Sequence, residues 1–286
     1  MTLRGIFNKT FSIKHMSTQR PQVTIPDTEI HSLRSSNVEQ EFRIFVALGH
    51  GYANSDKAYP VLYVLDANAV FGTVTETARF LAMLKEIPEI IIVGIGYPID
   101  SFTEAAAFRT RDYTITTVDT WYQETFKAVQ PDAPEYVGSG GAANFLQFVG
   151  KELMPFVNTT YRTIPEDSAI CGSSFGGLFA LYALFHQPHT FRRYIIGSPT
   201  VWWDESAILN YEKDFAANNT RLSAKVFMSV GSCESDRMVA GFQEMAGIMQ
   251  DRQYQNLELI THMFEDETHV SVTPATISRG LRAVFT

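Results

Sequence analysis

The residues best suited to chemistry in this chain are a serine and the glycines around it, in the pentapeptide Gly172-Ser173-Ser174-Phe175-Gly176. An apolar run ends at Cys171, just before the pentapeptide, and a Leu/Phe/Ala-rich stretch at helical spacing follows it. A serine at such a strand-to-helix turn keeps its hydroxyl clear of the backbone, and the glycines remove Cβ atoms that would collide there. The pattern therefore predicts a nucleophile elbow with Ser174 as the nucleophile.

A serine hydroxyl is a poor nucleophile at neutral pH and needs a general base, which in turn needs a carboxylate to orient it. In strand–turn–helix sites of this kind, the acid and then the histidine follow the serine along the chain. Only His262 and His269 lie late enough. His262 falls within an alternating strand pattern, whereas His269 lies in the polar loop 265–271 before the last predicted helix. We therefore predict His269 as the base.

The candidate acids are Glu234 and Asp236, which both follow a strand predicted at residues 224–231. Asp236 stands where a helix begins, and capping that helix is an adequate role for it. Glu234 lies three residues past the strand-ending glycine, in the position expected for the acid. Glu234 is therefore the preferred acid, and Asp236 stays an alternative.

Two backbone N–H groups are expected to stabilise the oxyanion that forms when a serine attacks a carbonyl. The N–H of Phe175, directly after the nucleophile, is the first predicted donor. The second donor should follow the buried strand predicted at residues 61–65, which places it at Ala67 or Asn68.

The sequence contains no metal or cofactor motif. The seven histidines are scattered, and neither C-x-x-C nor H-E-x-x-H occurs. No G-x-G-x-x-G follows a predicted strand. We expect neither a metal nor a cofactor.

The composition bounds the class of protein. The 286 residues are 45% hydrophobic and 13% aromatic, which is enough for a large core. The formal net charge of −8 disfavours nucleic acid or an anionic membrane surface as a partner. Two cysteines are too few for a disulfide framework, and no apolar run is long enough to span a bilayer. The N-terminus lacks the apolar core of a secretory signal, so we expect a cytoplasmic protein, with its oligomeric state left open.

The order of predicted elements indicates the fold class. Strands and helices alternate throughout the second half of the chain, which predicts an α/β fold with a mostly parallel sheet covered on both faces. Residues 97–137 interrupt the alternation and show no long period. The segment is therefore predicted to lack regular structure, and a stretch of that length without regular structure in a compact domain indicates a lid or a substrate-binding insertion. We predict one domain over residues 26–286, preceded by an N-terminal extension at residues 1–25.

Several motifs together resemble one family. They are Tyr59-Pro-Val-Leu-Tyr-Val-Leu-Asp-Ala-Asn-Ala-Val-Phe71, Arg111-Asp-Tyr-Thr114, Gly172-Ser-Ser-Phe-Gly-Gly-Leu178, Ser198-Pro-Thr-Val-Trp-Trp203 and Val230-Gly-Ser-Cys-Glu234. The combination is similar to the putative-esterase branch of the α/β-hydrolases, which includes ferri-siderophore esterases and is related to feruloyl esterases and S-formylglutathione hydrolase. The resemblance implies the α/β-hydrolase fold and the catalytic residues Ser174, His269 and Glu234, or a Ser–His dyad where the acid is poorly placed.

The same resemblance places the segment after Gly96-Tyr97-Pro98 and the tryptophan pair around the acyl pocket. The substrate-binding candidates that it implies are Arg109, Arg111, Tyr113, Trp202 and Trp203. An acidic chain is a poor electrostatic match to an anionic ferric complex, so a local cation such as Arg237 would have to compensate. Core packing is the alternative role for Tyr113 and the tryptophans, and an ion pair with Asp112 is the alternative for Arg111.

Three functions are consistent with these residues. The preferred one is a serine esterase that cleaves a small-molecule carboxylic ester through an acyl-enzyme, with a bulky ester such as a siderophore ester as the substrate favoured by the resemblance. An acyltransferase would use the same site but exclude water from the acyl-enzyme. A non-catalytic binding protein would keep only the fold, and the complete set of serine, acid and histidine candidates argues against it.

Overall fold

A computed structural model describes residues 23–100, 102–118 and 136–286 of the chain. Within these ranges the chain forms an eight-stranded sheet in the order β1-β2-β4-β3-β5-β6-β7-β8. The strands are β1 Thr28–Arg34, β2 Glu41–Ala47, β3 Tyr59–Val64, β4 Ile91–Gly96, β5 Thr163–Ser173, β6 Arg193–Gly197, β7 Arg221–Gly231 and β8 Gln255–Phe264. The β1–β2 and β2–β4 pairs are antiparallel, and the neighbouring pairs from β4 to β8 are parallel.

The helices of the described ranges fall between and after these strands. They are α1 Ala67–Met83, α2 Phe102–Tyr113, α3 Ala142–Phe148, α4 Met154–Thr160, α5 Phe175–His186, α6 Trp203–Ser206, α7 Ile208–Asn218, α8 Asp236–Arg252 and α9 Val272–Phe285. A π-helical turn at Val149–Leu153 joins α3 to α4. No helix in these ranges combines the length and apolar character that crossing a membrane requires. Residues 1–22 of the predicted N-terminal extension lie outside the described residues.

The sheet is buried on both faces, which explains why β3 is apolar without interruption. Val61 and Tyr63 of β3 pack into a cluster with residues of α3 and α5, whereas Leu62 and Val64 pack into a second cluster with residues of α1 and α9. Successive side chains of a strand point to opposite faces, so the two clusters lie on opposite sides of the sheet. The predicted α/β fold with helices on both faces is confirmed.

The segment predicted to lack regular structure contains a helix. Residues 102–113 form α2, so the prediction for 97–137 is wrong there. The buried residues of α2 are the three alanines at residues 105–107, Thr110, Asp112 and Tyr113. Apart from Tyr113 these residues are small or polar, so they give no apolar period to detect. Residues 101 and 119–135 lie outside the described ranges, and the lid remains a prediction.

The carboxyl ends of the parallel strands open onto one edge of the sheet. Ala67 follows β3, Ser174 follows β5, Glu234 follows β7 and His269 follows β8. Ligands of open α/β sheets bind beyond this edge, where loops from several strands meet. The topology therefore brings the residues predicted from distant parts of the chain to one place.

Candidate active site

Ser174 occupies a strained turn between β5 and α5. Its φ and ψ of 60° and −121° lie outside the conformations that side-chain-bearing residues ordinarily adopt. Backbone hydrogen bonds hold the turn on both sides, since its N–H donates to the carbonyl of Gly197 at 3.0 Å and its own carbonyl accepts from Thr200 at 3.2 Å. A Cβ at Gly172 would collide with the backbone of Gly176, so that position requires glycine. The serine is half-buried at the edge of the sheet.

Glu234 is the acid that the structure brings to His269. Its Oε2 lies 2.6 Å from Nδ1 of His269, and its side chain is fully buried. The other oxygen, Oε1, accepts the hydroxyl of Ser198 at 2.5 Å and the N–H of Gly231 at 2.8 Å. Asp236, the alternative acid, is exposed as the first residue of α8. Of the two, Glu234 has the geometry of an orienting carboxylate.

The three donors decide the ionisation of Glu234. Burial raises the pKa of this carboxyl, but the hydrogen bonds from His269, Ser198 and Gly231 outweigh burial, and the pKa lies below its ordinary value of 4.5. Glu234 is therefore an anion at neutral pH. An anion accepts Nδ1–H of the imidazole, which leaves Nε2 with the lone pair that a general base needs.

The loop that carries His269 is fastened to the turn that carries Glu234. Cys233 donates its N–H to the carbonyl of Glu267 at 2.9 Å, and Asp266 donates its N–H to the hydroxyl of Ser232 at 2.9 Å. A Cβ at Gly231 would collide with the Glu267 carbonyl, so glycine allows this close approach. The acid and the histidine therefore lie on one rigid unit.

The imidazole of His269 is open to solvent, with 43% of its side chain exposed. Among the described residues, its Nε2 has no hydrogen-bond partner, and the Ser174 hydroxyl lies 3.5 Å from Oγ1 of Thr200. Catalytic hydrogen bonds of unliganded sites often form only when substrate binds. His262, the other late histidine, lies within β8 with its ring 4.4 Å from that of Phe264, as expected for a structural histidine.

The predicted oxyanion donors stand at two helix N-termini. Phe175 is the first residue of α5, and Ala67 and Asn68 are the first two residues of α1. N–H groups in the first turn of a helix point outward and carry the positive end of the helix dipole. The side chain of Asn68 is committed elsewhere, because its Nδ2 donates to the carbonyl of Ile99 at 2.7 Å and its Oδ1 accepts the N–H of Tyr97 at 2.8 Å.

The substrate-binding candidates of α2 are all engaged within the fold. Arg109 forms a two-pronged ion pair with Asp66 at 2.7 and 2.9 Å, and Arg111 pairs with the buried Asp112 at 2.6 and 3.0 Å. Tyr113 is fully buried, and burial raises the pKa of its hydroxyl well above the ordinary value. These contacts favour structural roles, and substrate binding by the three residues stays a prediction that the geometry does not favour.

The two tryptophans differ in their surroundings. Trp203 is buried and donates its indole N–H to the hydroxyl of Thr116 at 3.0 Å. Trp202 is half-buried, with the guanidinium of the exposed Arg237 over its ring at 3.6 Å and its indole N–H directed at the sulfur of Met238. Trp202 and Arg237 are therefore the substrate-binding candidates that remain accessible.

Three residues that contact the candidate site residues have no sequence signal that would assign them a role: Ser198, Thr200 and Asp66. Ser198 and Thr200 lie in the loop after β6, one against Glu234 and the other against Ser174. Their sequence neighbours are ordinary loop residues, and only the motif that contains them could have drawn attention to them.

No group of three or more His, Cys, Asp or Glu side chains suited to a metal occurs in the described part of the chain.

The chain has a mostly parallel sheet with helices on both faces. An elbow serine follows a central strand, and an acid and a histidine follow later strands. These features define an α/β-hydrolase. The putative-esterase family matches residues 35–269, and the chain belongs to that family. It is a carboxylic ester hydrolase.

The similarity to known proteins covers most of the chain. The chain is 33% identical to the ferri-bacillibactin esterase BesA of Bacillus subtilis over 270 residues, which cover 91% of this chain and 90% of that protein. It is 31% identical to a siderophore triacetylfusarinine C esterase of Aspergillus fumigatus, over 79% of this chain and 81% of the relative. The crystal structure of the BES protein from Bacillus cereus superposes with a TM-score of 0.81 at 30% identity, covering 94% of this chain and 99% of that one.

The lowered pKa of Glu234 predicts how Glu234→Gln affects stability at different pH values. A carboxylate with a depressed pKa stabilises the folded protein above its unfolded pKa of about 4.5, and this contribution is lost as the pH falls through the folded pKa. In urea unfolding between pH 3 and pH 7, Glu234→Gln should therefore lower the free energy of unfolding most at pH 7 and least at pH 3. The exposed Glu265→Gln is the matched control, and a difference that grows on acidification would contradict the assignment.

Proposed function

We propose that this esterase cleaves the ester bonds of a siderophore-type small molecule, with Ser174 as nucleophile, His269 as general base and Glu234 as the orienting acid. The observation that carries the proposal is the 2.6 Å contact between the buried carboxylate of Glu234 and Nδ1 of His269, at the sheet edge where the elbow serine stands. A buried anion behind an exposed imidazole has little use in a protein that only binds, because keeping a charge out of water is costly.

The reaction that these residues support has two halves. In the first, Nε2 of His269 takes the hydroxyl proton of Ser174 while Oγ bonds to the ester carbonyl carbon, and the carbonyl oxygen becomes an oxyanion held by the proposed N–H groups of Phe175 and of Ala67 or Asn68. The imidazolium then gives its proton to the departing alkoxide. In the second half, His269 activates water, which attacks the acyl carbon and releases the acid and free Ser174.

Glu234 acts by staying ionised throughout. Its low pKa keeps the carboxylate charged while the imidazole gains and loses a proton, so the acid stabilises the imidazolium without accepting that proton. Ser198 and Gly231 hold its other oxygen, and the carboxylate cannot turn away from the ring.

The siderophore substrate is supported by the relatives and by two accessible residues close in sequence to the proposed catalytic groups. Two relatives with at least 31% identity are named for the siderophore esters that they cleave. Trp202 lies two residues after Thr200, Arg237 lies three residues after Glu234, and the Trp202 ring lies under the Arg237 guanidinium. Such a pair can bind a large, aromatic or anionic chelate by stacking and by charge.

We also propose that the protein works in the cytoplasm. Its two cysteines, Cys171 and Cys233, are both free. Cys171 is buried, and burial raises the pKa of its thiol to about 12, so it is unreactive. Free thiols are typical of proteins in a reducing compartment.

The role of Ser174 predicts the effect of Ser174→Ala on turnover of a p-nitrophenyl ester. We expect kcat to fall by roughly a million-fold, since the remaining site can only bind and polarise the ester. The neighbouring Ser173→Ala is the matched control and should keep at least about a tenth of the activity. A Ser174→Ala protein that loses less than about tenfold would rule out this nucleophile.

The effect of Glu234→Gln on turnover distinguishes a catalytic triad from a Ser–His dyad. Glu234→Gln should lower kcat by about a thousand- to ten-thousand-fold, because the amide no longer stabilises the imidazolium or fixes the tautomer of His269. Steady-state kinetics on the same p-nitrophenyl ester measure this directly. A loss of less than about tenfold would instead indicate that Ser174 and His269 act as a dyad.

The substrate class is tested by direct hydrolysis. Ferri-bacillibactin, triacetylfusarinine C, enterobactin and a set of short-chain and aromatic p-nitrophenyl esters are incubated with the enzyme, and the products are separated by chromatography. We expect at least one siderophore to be cleaved with a kcat/KM well above that of the simple esters, and Ser174→Ala to abolish this cleavage. Equal or lower values for every siderophore would contradict the proposed substrate class.

A further inference from the structure

The turn after β3 must place the second proposed oxyanion donor. Asp66 adopts the left-handed conformation, with φ and ψ of 56° and 33°, and is followed directly by Ala67 and Asn68 at the start of α1. Its carboxylate faces the elbow, because a Cβ at Gly176 would lie 3.5 Å from Oδ2 of Asp66. This turn and the elbow therefore lie side by side.

A single arginine of α2 contacts both turns. Arg109 directs Nε and Nη2 at the two carboxylate oxygens of Asp66, at 2.7 and 2.9 Å, and Nη2 also makes a long hydrogen bond of 3.4 Å to the carbonyl of Ser173. Asp66 directly precedes Ala67, and Ser173 lies two residues before Phe175. The guanidinium therefore contacts the side chain of the residue before Ala67 and the backbone carbonyl of the residue two positions before Phe175.

The surroundings of Arg109 restrict it further. Its side chain and that of Asp66 are each only 11% exposed. The guanidinium carbon lies 5.5 Å from the centre of the Tyr113 ring and 5.5 Å from that of the Phe175 ring. The hydroxyl of Tyr113 accepts the backbone N–H of Asp66 at 3.3 Å, which gives the turn a second contact with α2. These contacts engage the guanidinium with groups of the protein itself.

We propose that Arg109 is a positioning residue that sets the distance between the two oxyanion donors. This inference rests on the proposed function, because it assumes that the N–H groups of Phe175 and of Ala67 or Asn68 bind the oxyanion. A planar guanidinium holds both oxygens of Asp66 in a fixed orientation, and a lysine ammonium would supply the charge without the fork.

The charge of Arg109 has a second consequence. An unpaired carboxylate beside the developing oxyanion would repel it and weaken its stabilisation. Burial lowers the pKa of Arg109, but the ion pair with Asp66 outweighs burial and raises the pKa, so the guanidinium stays charged. Arg109 therefore removes the repulsion that Asp66 would otherwise exert.

A second arginine of the chain provides a matched control. Arg193 forms an ion pair with Asp167 at 2.8 Å, donates from Nη1 to the carbonyl of Val284 at 3.1 Å and lies 5.3 Å from the ring of Phe285. It begins β6, at the edge of the sheet opposite the proposed site. The substitution Arg193→Lys therefore removes the same kind of fork without touching either turn.

The test compares Arg109→Lys with Arg193→Lys on a neutral ester, p-nitrophenyl acetate, and an anionic one, mono-p-nitrophenyl succinate. A displacement of about 1 Å at a catalytic group can cost about a hundred-fold in rate. We expect Arg109→Lys to lower kcat by about 10- to 100-fold on both esters with KM changed by less than about threefold, and Arg193→Lys to change kcat by less than about twofold. Thermal unfolding of both variants shows how much of the effect is stability.

Two results would overturn the inference. A kcat of Arg109→Lys within about twofold of the wild type would remove the positioning role, and a rise in KM confined to the anionic ester would make Arg109 a substrate contact. If Arg109→Lys does not fold, Asp66→Asn breaks the same pair from the other side and should give the same loss of kcat at constant KM. Ser174→Ala distinguishes a failure of the proposed function from a failure of the inference about Arg109. An active Ser174→Ala enzyme would reject the proposed function. An inactive Ser174→Ala enzyme together with a fully active Arg109→Lys enzyme would reject only the inference about Arg109.

Discussion

The buried carboxylate of Glu234 is the group on which the arrangement of this site depends. A charge removed from water is tolerated only when donors replace the lost hydration. Here the donors come from three places along the sheet: Ser198 after β6, Gly231 at the end of β7 and His269 after β8. The register of β6 against β7, continued by the 2.7 Å hydrogen bond from the N–H of Ser198 to the carbonyl of Ser229, therefore also sets the position of the imidazole.

Sequence reasoning succeeded where the signal was local. The elbow could be predicted because the strand, the turn and the helix are contiguous, and β3 because a strand buried on both faces is apolar throughout. The acid and the histidine could be predicted from their order after the serine. The contacts of Ser198 and Arg109 could not be predicted, because they join distant residues and follow no such order. Ser198 lies 36 residues from Glu234, and Arg109 lies 43 residues from Asp66. No period or spacing in the sequence reports such pairs, which exist only once the sheet has formed.

Neither hydrophobic periodicity nor family resemblance was sufficient to predict helix α2 and the roles of its residues. Apart from Tyr113, its buried residues are alanines and hydrogen-bonded polar groups, so the sequence shows no apolar stripe there. Family resemblance identified its arginines and Tyr113 as neighbours of the site but could not tell whether they face a substrate or the fold. The structure gives each a partner within the protein, Asp66 for Arg109 and Tyr113, and Asp112 for Arg111. Resemblance thus directed attention to α2, and the contacts favour structural roles for these three residues.

Two carboxylates are close to residues of the proposed site, and each has a different kind of partner. Asp66 directly precedes the proposed oxyanion donors Ala67 and Asn68, so in the proposed mechanism its charge must be compensated at every stage, and a guanidinium that never loses its proton does this. Glu234 stands behind the proposed base, where its charge is needed most when the imidazole is protonated. An imidazole as partner supplies a positive charge at that stage only. Exchanging the two partners would leave an uncompensated anion next to the oxyanion for half of the cycle and a permanent cation behind the base. The choice of arginine for one carboxylate and histidine for the other therefore follows from what each charge must do during ester cleavage.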